Sequence, residues 1–373
     1  SYGQGVHGIS VGDVNGDGMD DIVTGSASVA HDGKLLCSTG KGHGDAIHLA
    51  DLCPDRPGLE VMMPHEESPY GYDVHDAATG ELIVSATSSG DNGRGLAADF
   101  VPANRGFEFW SSADNNMYSC SDGSVVMTSK PDTNYRIYWT GDPFDQSFDG
   151  RYDSNSGTGA PRIRSYNTAS KKIIVFQEFA KYGNPVCCNT TKATPCLQAD
   201  IMGDWREEII MVKYEEDWSD AMCQLIIYST PEPTDYKVTC LMQDHVYRMG
   251  VAWQNSSYNQ PPHLGYYLPD ALGINTATYT TQTTNHAPAV TSTDESGALT
   301  EDLAMPAEDK GIVTGVCYTT GKNQEITNSE SGGFIKVRTG NNDNTITFYV
   351  NEGYVITGMK LVGRSNNNST TAD

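Results

Sequence analysis

Short apolar runs separated by Gly, Asn, Asp and Pro set the rhythm of this chain. Asp21-Ile22-Val23, Glu60-Val61-Met62-Met63, Glu81-Leu82-Ile83-Val84, Lys172-Ile173-Ile174-Val175-Phe176 and Gln224-Leu225-Ile226-Ile227-Tyr228 are each too short for a stable helix. Bounded by turn residues, they predict β-strands. No long stretch sustains a 3.6-residue apolar period with helix caps, so no helix is predicted. Four segments repeat a fuller pattern: GDVNGDGMDDIV from Gly12, ADLCPDRPGLEV from Ala50, ADFVPANRGFEF from Ala98 and ADIMGDWREEII from Ala199. Each runs from a small residue through a leading acid (Asp13, Asp51, Asp99, Asp200) and a polar turn. A closing acid (Asp21, Glu60, Glu108, Glu208) and apolar residues then follow. The interval from Asp99 to Asp200 is about twice a repeat of about 50 residues, and a degenerate unit near Phe148-Asp149-Gly150 would fill it. Short strands and tight turns recurring every ~40–50 residues are the signature of propeller blades.

The expected fold class is therefore all-β: part of a β-propeller over residues 1–285, then a linker and a small, incomplete β-sandwich over 286–373. The Thr-rich stretch from Asn275 to Thr291 reads as the linker. Beyond it, Thr345-Ile346-Thr347-Phe348-Tyr349-Val350 and Tyr354–Val362 alternate as in an antiparallel sheet. The opening residues carry no basic segment followed by an apolar one, so no signal peptide is read there. The chain starts almost inside a repeat, which predicts that earlier blades precede it.

Composition narrows the partners. Twenty-four Lys and Arg stand against 48 Asp and Glu, a formal charge of −24. Such a field repels nucleic acid and anionic membranes, so neither is an expected partner. No run of about 18 uncharged apolar residues occurs, so no membrane span is expected. The nine cysteines form no CxxC pair, which removes a zinc ribbon. Adjacent Cys187 and Cys188 are read as two unpaired loop thiols, with a vicinal disulfide as the alternative.

The strongest metal signal is Asp13-x-Asn15-x-Asp17-Gly18-x-x-Asp21, whose alternate oxygens converge on a tight loop and suit calcium. It has neither the closing Glu nor the flanking helices of an EF-hand. Asp200, Asp204 and Glu208 keep enough oxygens for a second calcium site. At Asp51 and Asp99 the acids are read as acceptors for turn amides. His7, His43 and His65 stand in or beside loops, His43 between two glycines that let a ligand approach the backbone. Arg94 and Lys192 both lie in loops that precede repeat strands, which predicts one shared face. Arg206 and Glu207 are read as an internal ion pair.

The runs Gly42-His43-Gly44-Asp45-Ala46, DRPGLEV (55–61), Asn92-Gly93-Arg94-Gly95, NTTKATPCLQADIMGDWREEI (189–209) and Tyr247-Arg248 through His263 resemble rhamnogalacturonan lyases of polysaccharide lyase family 11. The resemblance covers residues 2–270 in order. It implies an eight-bladed calcium-binding propeller whose first blades lie outside this chain. It also implies cleavage of the rhamnose–galacturonic acid bond of rhamnogalacturonan I by β-elimination. A pectic polysaccharide partner, a monomer, and a secreted, cell-surface or periplasmic location follow from the same resemblance. By the same implication the basic pair falls on Arg94 and Lys192, and the substrate-contacting loop on Asn189, Thr190 and Thr191. The sugar-contacting Tyr falls on Tyr258, with His7 and His43 in the cleft. Thr190 stands where the family's loop has Gly, and a β-branched residue disfavours positive φ. Elimination needs a cation to offset the charge that develops on the uronate and a base for the C5 proton; Arg94 and Lys192 suit these roles. The alternatives are a calcium-stabilised propeller that binds carbohydrate without cleaving it and, on the Asp13 loop alone, an integrin-like interaction propeller.

Overall fold

The structure, a computed structural model, describes residues 3–153, 157–189, 192–214, 223–256 and 258–280, together with four strands between residues 313 and 350. The chain divides into two compact units, Ser1–Thr283 and Thr284–Asp373.

The first unit is built from five antiparallel sheets in chain order. They are β1–β4 (Ser10–Gly12, Asp21–Val23, Ala27–Val29, Leu35–Ser38), β5–β8 (His48–Ala50, Glu60–His65, Gly71–Asp76, Leu82–Ala86) and β9–β12 (Gly95–Ala98, Glu108–Ser111, Met117–Ser119, Val125–Met127). Then come β13–β16 (Tyr135–Ile137, Gln146–Asp153, Gly157–Asn167, Lys172–Glu178) and β17–β19 (Leu197–Ala199, Glu208–Tyr214, Cys223–Tyr228). In every sheet each strand pairs with the next in sequence. Burial falls from the first strand to the last. Strands β5, β9 and β13 are buried at every position, whereas β8, β12 and β16 have none that is fully buried. Burial at consecutive positions means that both faces of the first strands are covered.

Consecutive sheets share apolar cores. Val23 meets Leu49 and Val61; Met62 and Val74 meet Ala97 and Phe109; Leu96 and Trp110 meet Tyr166 and Ile173; Phe148 and Ile163 meet Ile209 and Met211. Each sheet therefore hides the face that its neighbour exposes, the arrangement a repeat needs because one unit cannot bury its own apolar side.

The acidic repeat is the joint between the first and second strands. The first strand ends just before the leading residue, and the second begins on the closing residue. Glu108 Oε2 accepts the amides of Phe100 and Val101, both at 2.9 Å. Glu208 Oε2 accepts those of Ile201 and Met202 at 2.8 and 2.9 Å. Asp21 Oδ2 does the same for Val14 and Asn15, and Glu60 Oε2 takes Cys53. The fourth sheet carries the same device without an acid: Gln146 Oε1 accepts the amides of Trp139 and Thr140 at 2.7 and 3.0 Å. The missing unit is thus centred on Tyr138–Gln146, and the expectation of Phe148-Asp149-Gly150 is corrected. Phe148 and Asp149 lie inside β14, and Asp149 accepts the Thr133 and Asn134 amides instead. A neutral amide oxygen replaces the carboxylate, so an acid-based pattern passes over the turn.

Helix α1 (His245–Trp253) was not legible as a period of 3.6 over nine residues with Gly250 at its middle. Its start is marked by Asp244, which accepts the Tyr247 amide at 2.8 Å. Gly250 lets Pro262 approach; an added Cβ would lie 3.0 Å from its Cα and Cβ. Tyr247 donates its buried hydroxyl to Glu207 at 2.6 Å. Glu207 does not pair with Arg206. It accepts from Arg136, whose Nη1 lies 2.8 Å away, while Arg136 Nε binds Asp145 at 2.8 Å. Arg206 pairs with Asp204 at 2.6 Å. Asp204 holds Arg206 in the bend before the strand, while Arg136 and Tyr247 engage Glu207, which separates the two.

In the second unit, β20 (Val313–Tyr318) pairs with β23 (Ile346–Val350), and β21 (Glu325–Thr327) with β22 (Phe334–Lys336), all antiparallel. The expected strand at 354–362 lies outside the described residues. Among the described residues no helix is long and apolar enough to cross a membrane.

Candidate functional site

One group of polar side chains gathers at the entry ends of the first strands. His7 precedes β1, Asp45 precedes β5, Arg94 precedes β9, Asn134 precedes β13 and Lys192 precedes β17. Lys192 Nζ lies 2.7 Å from Asp45 Oδ2 and 4.2 Å from the Tyr258 ring centroid. The Tyr258 ring sits 4.3 Å from the His7 ring, and His7 meets His43 edge-on at 4.6 Å. The Tyr258 amide donates to His7 O at 3.0 Å, which ties the two together through the backbone. Arg94 Nη2 donates to Asn259 O at 2.7 Å and to Asn134 O at 3.4 Å. Asn259 Oδ1 accepts from Asn189 at 3.3 Å. The segment Tyr258–Asn259 thus touches both members of the basic pair.

Arg94 is 7% exposed, yet its Nε and Nη1 have no hydrogen-bond partner. A buried guanidinium with unused N–H groups costs stability unless an anion or other acceptor meets it. Burial lowers its pKa, opposed by Tyr135, Asp149 and Asp45. An arginine nonetheless stays charged.

A second subset can hold a cation. His7, His43 and Glu66 offer ligand atoms within 4.8 Å of one another, the only such trio among the described residues. Asp45 adjoins them: its Oδ1 is 3.7 Å from His7 Nε2, buried and without a hydrogen-bond partner. The Asp45 carboxyl, hydrogen-bonded to Glu66, pushes Glu66 up to about 7, and burial adds to this. Burial opposes ionisation of Asp45, but its bonds to Glu66 and Lys192 hold it below the ordinary carboxylate range. Burial and His43 lower the pKa of His7. Two neighbouring carboxyls beside two imidazoles, with an orphaned oxygen aimed among them, fit a divalent cation.

The backbone explains why these residues meet. At Gly44 an added Cβ would fall 1.9 Å from Pro64 O, so only glycine lets the His43–Asp45 loop press onto the end of β6. At Gly150 it would fall 2.4 Å from Cys187 Sγ and 2.8 Å from Ala193 Cβ, so glycine also seats the Lys192 loop.

Residues 1–278 match the family profile described as rhamnogalacturonan lyase family 11, C-terminal domain. The chain belongs to this family. It is 41% identical over 276 residues to the rhamnogalacturonan endolyase YesW of Bacillus subtilis, covering 72% of this chain and 40% of that protein. It is also 41% identical to the rhamnogalacturonan exolyase YesX of the same organism, over 71% of this chain and 43% of that one. The crystal structure of YesW superposes with a TM-score of 0.64 at 40% identity, over 75% of this chain and 45% of that chain. The Bacillus licheniformis rhamnogalacturonan lyase PL11 gives 0.62 at 42% identity, over 71% and 42%. The chain therefore spans less than half the length of these family 11 relatives.

Within this family 11 chain, the expected His7, His43, Arg94, Asn189, Lys192 and Tyr258 come together. Thr190 and Thr191 lie outside the described residues. His65 is corrected: it is 2% exposed and bound to buried Asp73 at 2.6 Å. Along a strand end alternate residues face opposite ways, so when His65 turns inward Glu66 turns to the cleft. Asp45 and Glu66 were passed over in favour of the histidines beside them. Both stand next to noted residues: Asp45 closes the Gly42-His43-Gly44-Asp45 run, and Glu66 directly follows His65.

The two acidic turns expected to bind calcium sit at the other ends of the first strands. Asp13 accepts the amides of Gly16, Asp17 and Gly18, Asn15 accepts that of Asp17, and Asp17 accepts that of Met19. Asp200 accepts the Gly203, Trp205 and Leu241 amides, Asp204 is paired with Arg206, and Glu208 caps its turn. Neither turn brings three acidic ligand atoms as close as the His7 group does. Cys187 and Cys188 form no vicinal disulfide, and Cys188 faces Cys196 with the sulfurs 3.1 Å apart.

Proposed function

We propose that this chain carries the cleft of a rhamnogalacturonan I lyase that cleaves between rhamnose and galacturonic acid by β-elimination. The observation that carries this reading is Arg94: a buried cation with two unused N–H groups, at the Tyr258–Asn259 segment that also carries Lys192. A uronate carboxylate is the ligand that guanidinium fits, through two parallel hydrogen bonds. Family membership and the printed activities of YesW and YesX support the substrate class.

In the reaction the C5–H bond of the uronate breaks, its electron pair forms the C4–C5 double bond, and the C4–O bond to the leaving sugar breaks. Arg94 binds the carboxylate and offsets the second negative charge that builds beside it. Lys192, once its ammonium has given up a proton, takes the C5 proton. Asp45 orients it from 2.7 Å, and Tyr258 covers it from one side. Tyr258 also offers a sugar-stacking ring and a hydroxyl for the departing oxygen. Calcium, the cofactor we assign to His7, His43, Asp45 and Glu66, would when bound add positive charge next to the uronate. The Asp13 and Asp200 turns are reserve calcium sites with a structural role.

We further infer that the five sheets are consecutive blades of an eight-bladed propeller. Their serial packing and inward first strands support this. The second unit is assigned as a small β-sandwich. The protein works as a monomer outside the cytoplasm, secreted, on the cell surface or in the periplasm, because its polymeric substrate stays outside cells. Incubation with rhamnogalacturonan I tests the function: an unsaturated uronate with new ultraviolet absorbance is expected. Binding without that product favours the non-catalytic carbohydrate-binding alternative.

A further inference from the structure

Three features stand outside the reaction just described: the buried His65–Asp73–His75 relay, the buried acids around Tyr267, and the sulfur pair at the root of the Lys192 hairpin. The last carries an inference. Cys188 and Thr194 form an isolated antiparallel bridge, exchanging backbone hydrogen bonds of 2.7 and 3.2 Å. Lys192 lies inside the turn closed by that bridge, its amide donating to Asn189 O at 3.0 Å. Asn189 and Ala193 both hold positive φ, 62° and 48°, a costly conformation for residues that carry a Cβ. Cys196 sits two residues past Thr194, directly before β17. Its amide donates to Ile210 O at 3.0 Å and its carbonyl accepts from Asn255 at 2.8 Å. One sulfur is thus on the outgoing arm of the hairpin and the other where the returning arm enters the edge strand of a sheet.

We propose that Cys188 and Cys196 are a disulfide-forming pair that fastens the Lys192 hairpin to the edge of the fifth sheet. Their sulfurs lie 3.1 Å apart, so about 1 Å of closure reaches bonding distance. Both residues are partly exposed, which gives a small-molecule disulfide access. The hydrogen bond from Cys196 lowers the Cys188 thiol to about 7, which makes it the attacking group. The Cys188 thiolate displaces one thiolate from a small-molecule disulfide, giving a mixed disulfide. Cys196, losing its proton, then attacks Cys188 Sγ and expels the second thiolate. Two protein thiols are oxidised and one small-molecule disulfide is reduced, its two expelled thiolates taking up the two protons that the protein thiols lose. The bond persists in an oxidising compartment. It stands independently of the lyase reading; only its effect on turnover rests on that reading.

Trypsin offers a direct test, because it cuts after Lys192, between the two cysteines. The whole chain is equilibrated with oxidised glutathione, alkylated, digested and analysed by mass spectrometry. Peptides 182–192 and 193–206 are expected to be joined, with fragmentation placing the bond at Cys188 rather than Cys187. The oxidised form should melt about 5 °C above the reduced form. Cys188→Ser and Cys196→Ser should each abolish both the link and the melting difference, while Cys240→Ser keeps both. Alkylation of both Cys188 and Cys196 under these conditions, or a link through Cys187, overturns the pairing. A link with no rise in melting temperature overturns its stapling role. Neither readout uses turnover, so an inactive but cross-linked chain would count against the lyase reading alone.

Discussion

The two ends of the same five strands differ sharply. At the exit ends, a leading and a closing residue repeat in every sheet, and the closing side chain caps the turn amides. At the entry ends nothing repeats: His7, Asp45, Arg94, Asn134 and Lys192 are different groups at comparable places. The difference shows that repetition builds the frame and that chemistry occupies the end freed from repetition. It also separates two uses of buried charge. Glu108 Oε2 caps the amides of its own turn while its Oε1 has no partner, whereas Arg94 reaches other loops through Nη2 and keeps Nε and Nη1 without one.

The sharpest way to break this comparison is at the entry ends. Arg94→Ala should lower turnover by about 10²–10³-fold while the chain stays folded, because Arg94 stabilises the charge that develops on the uronate. Lys192→Ala should cost about 10²–10⁴-fold. Near-normal turnover in Lys192→Ala would remove it as the base. The buried Arg136–Glu207 pair belongs to the frame, so Glu207→Ala should destabilise by about 3–5 kcal/mol in chemical denaturation.

At the exit ends the expected effects are smaller and depend on shape rather than charge. Glu108→Ala should cost about 1–3 kcal/mol, since it strands two buried amides. Glu108→Gln should cost far less, because Gln146 already does this work in the fourth sheet. Burial pushes Glu60 and Glu108 up to about 8 from an ordinary 4.5. Between those values the folded chain holds protons that the unfolded chain has shed. Stability should therefore fall as pH rises through that window, and Glu108→Gln should flatten the slope. The smallest effect distinguishes the two proposed calcium locations. Chelation should lower the melting temperature, and His43→Ala should reduce that shift more than Asp17→Ala does.

The legibility of the sequence follows the same division. The exit-end turns announced themselves because a carboxylate capping two amides needs an acid at a fixed spacing. Gln146 escaped because an amide oxygen serves equally well. Arg94 and Lys192 were found because a strongly acidic chain has few cations to place before its strands. Asp45 and Glu66 were missed because acids are common here, and only the inward turn of His65 shows which neighbour faces the cleft. Helix α1 was missed because tertiary contacts, Tyr247 to Glu207 and Gly250 to Pro262, hold nine residues that carry no period of their own.

The central claim is that Arg94 and Lys192 act together on one uronate. Its most direct test is product analysis on rhamnogalacturonan I for the unsubstituted protein beside Arg94→Ala and Lys192→Ala. The account predicts an unsaturated uronate end from the first and at least about 100-fold slower formation of it by either variant, with all three folded. A saturated, hydrolysed end, or an unsaturated product formed at a near-normal rate without Arg94, would contradict it.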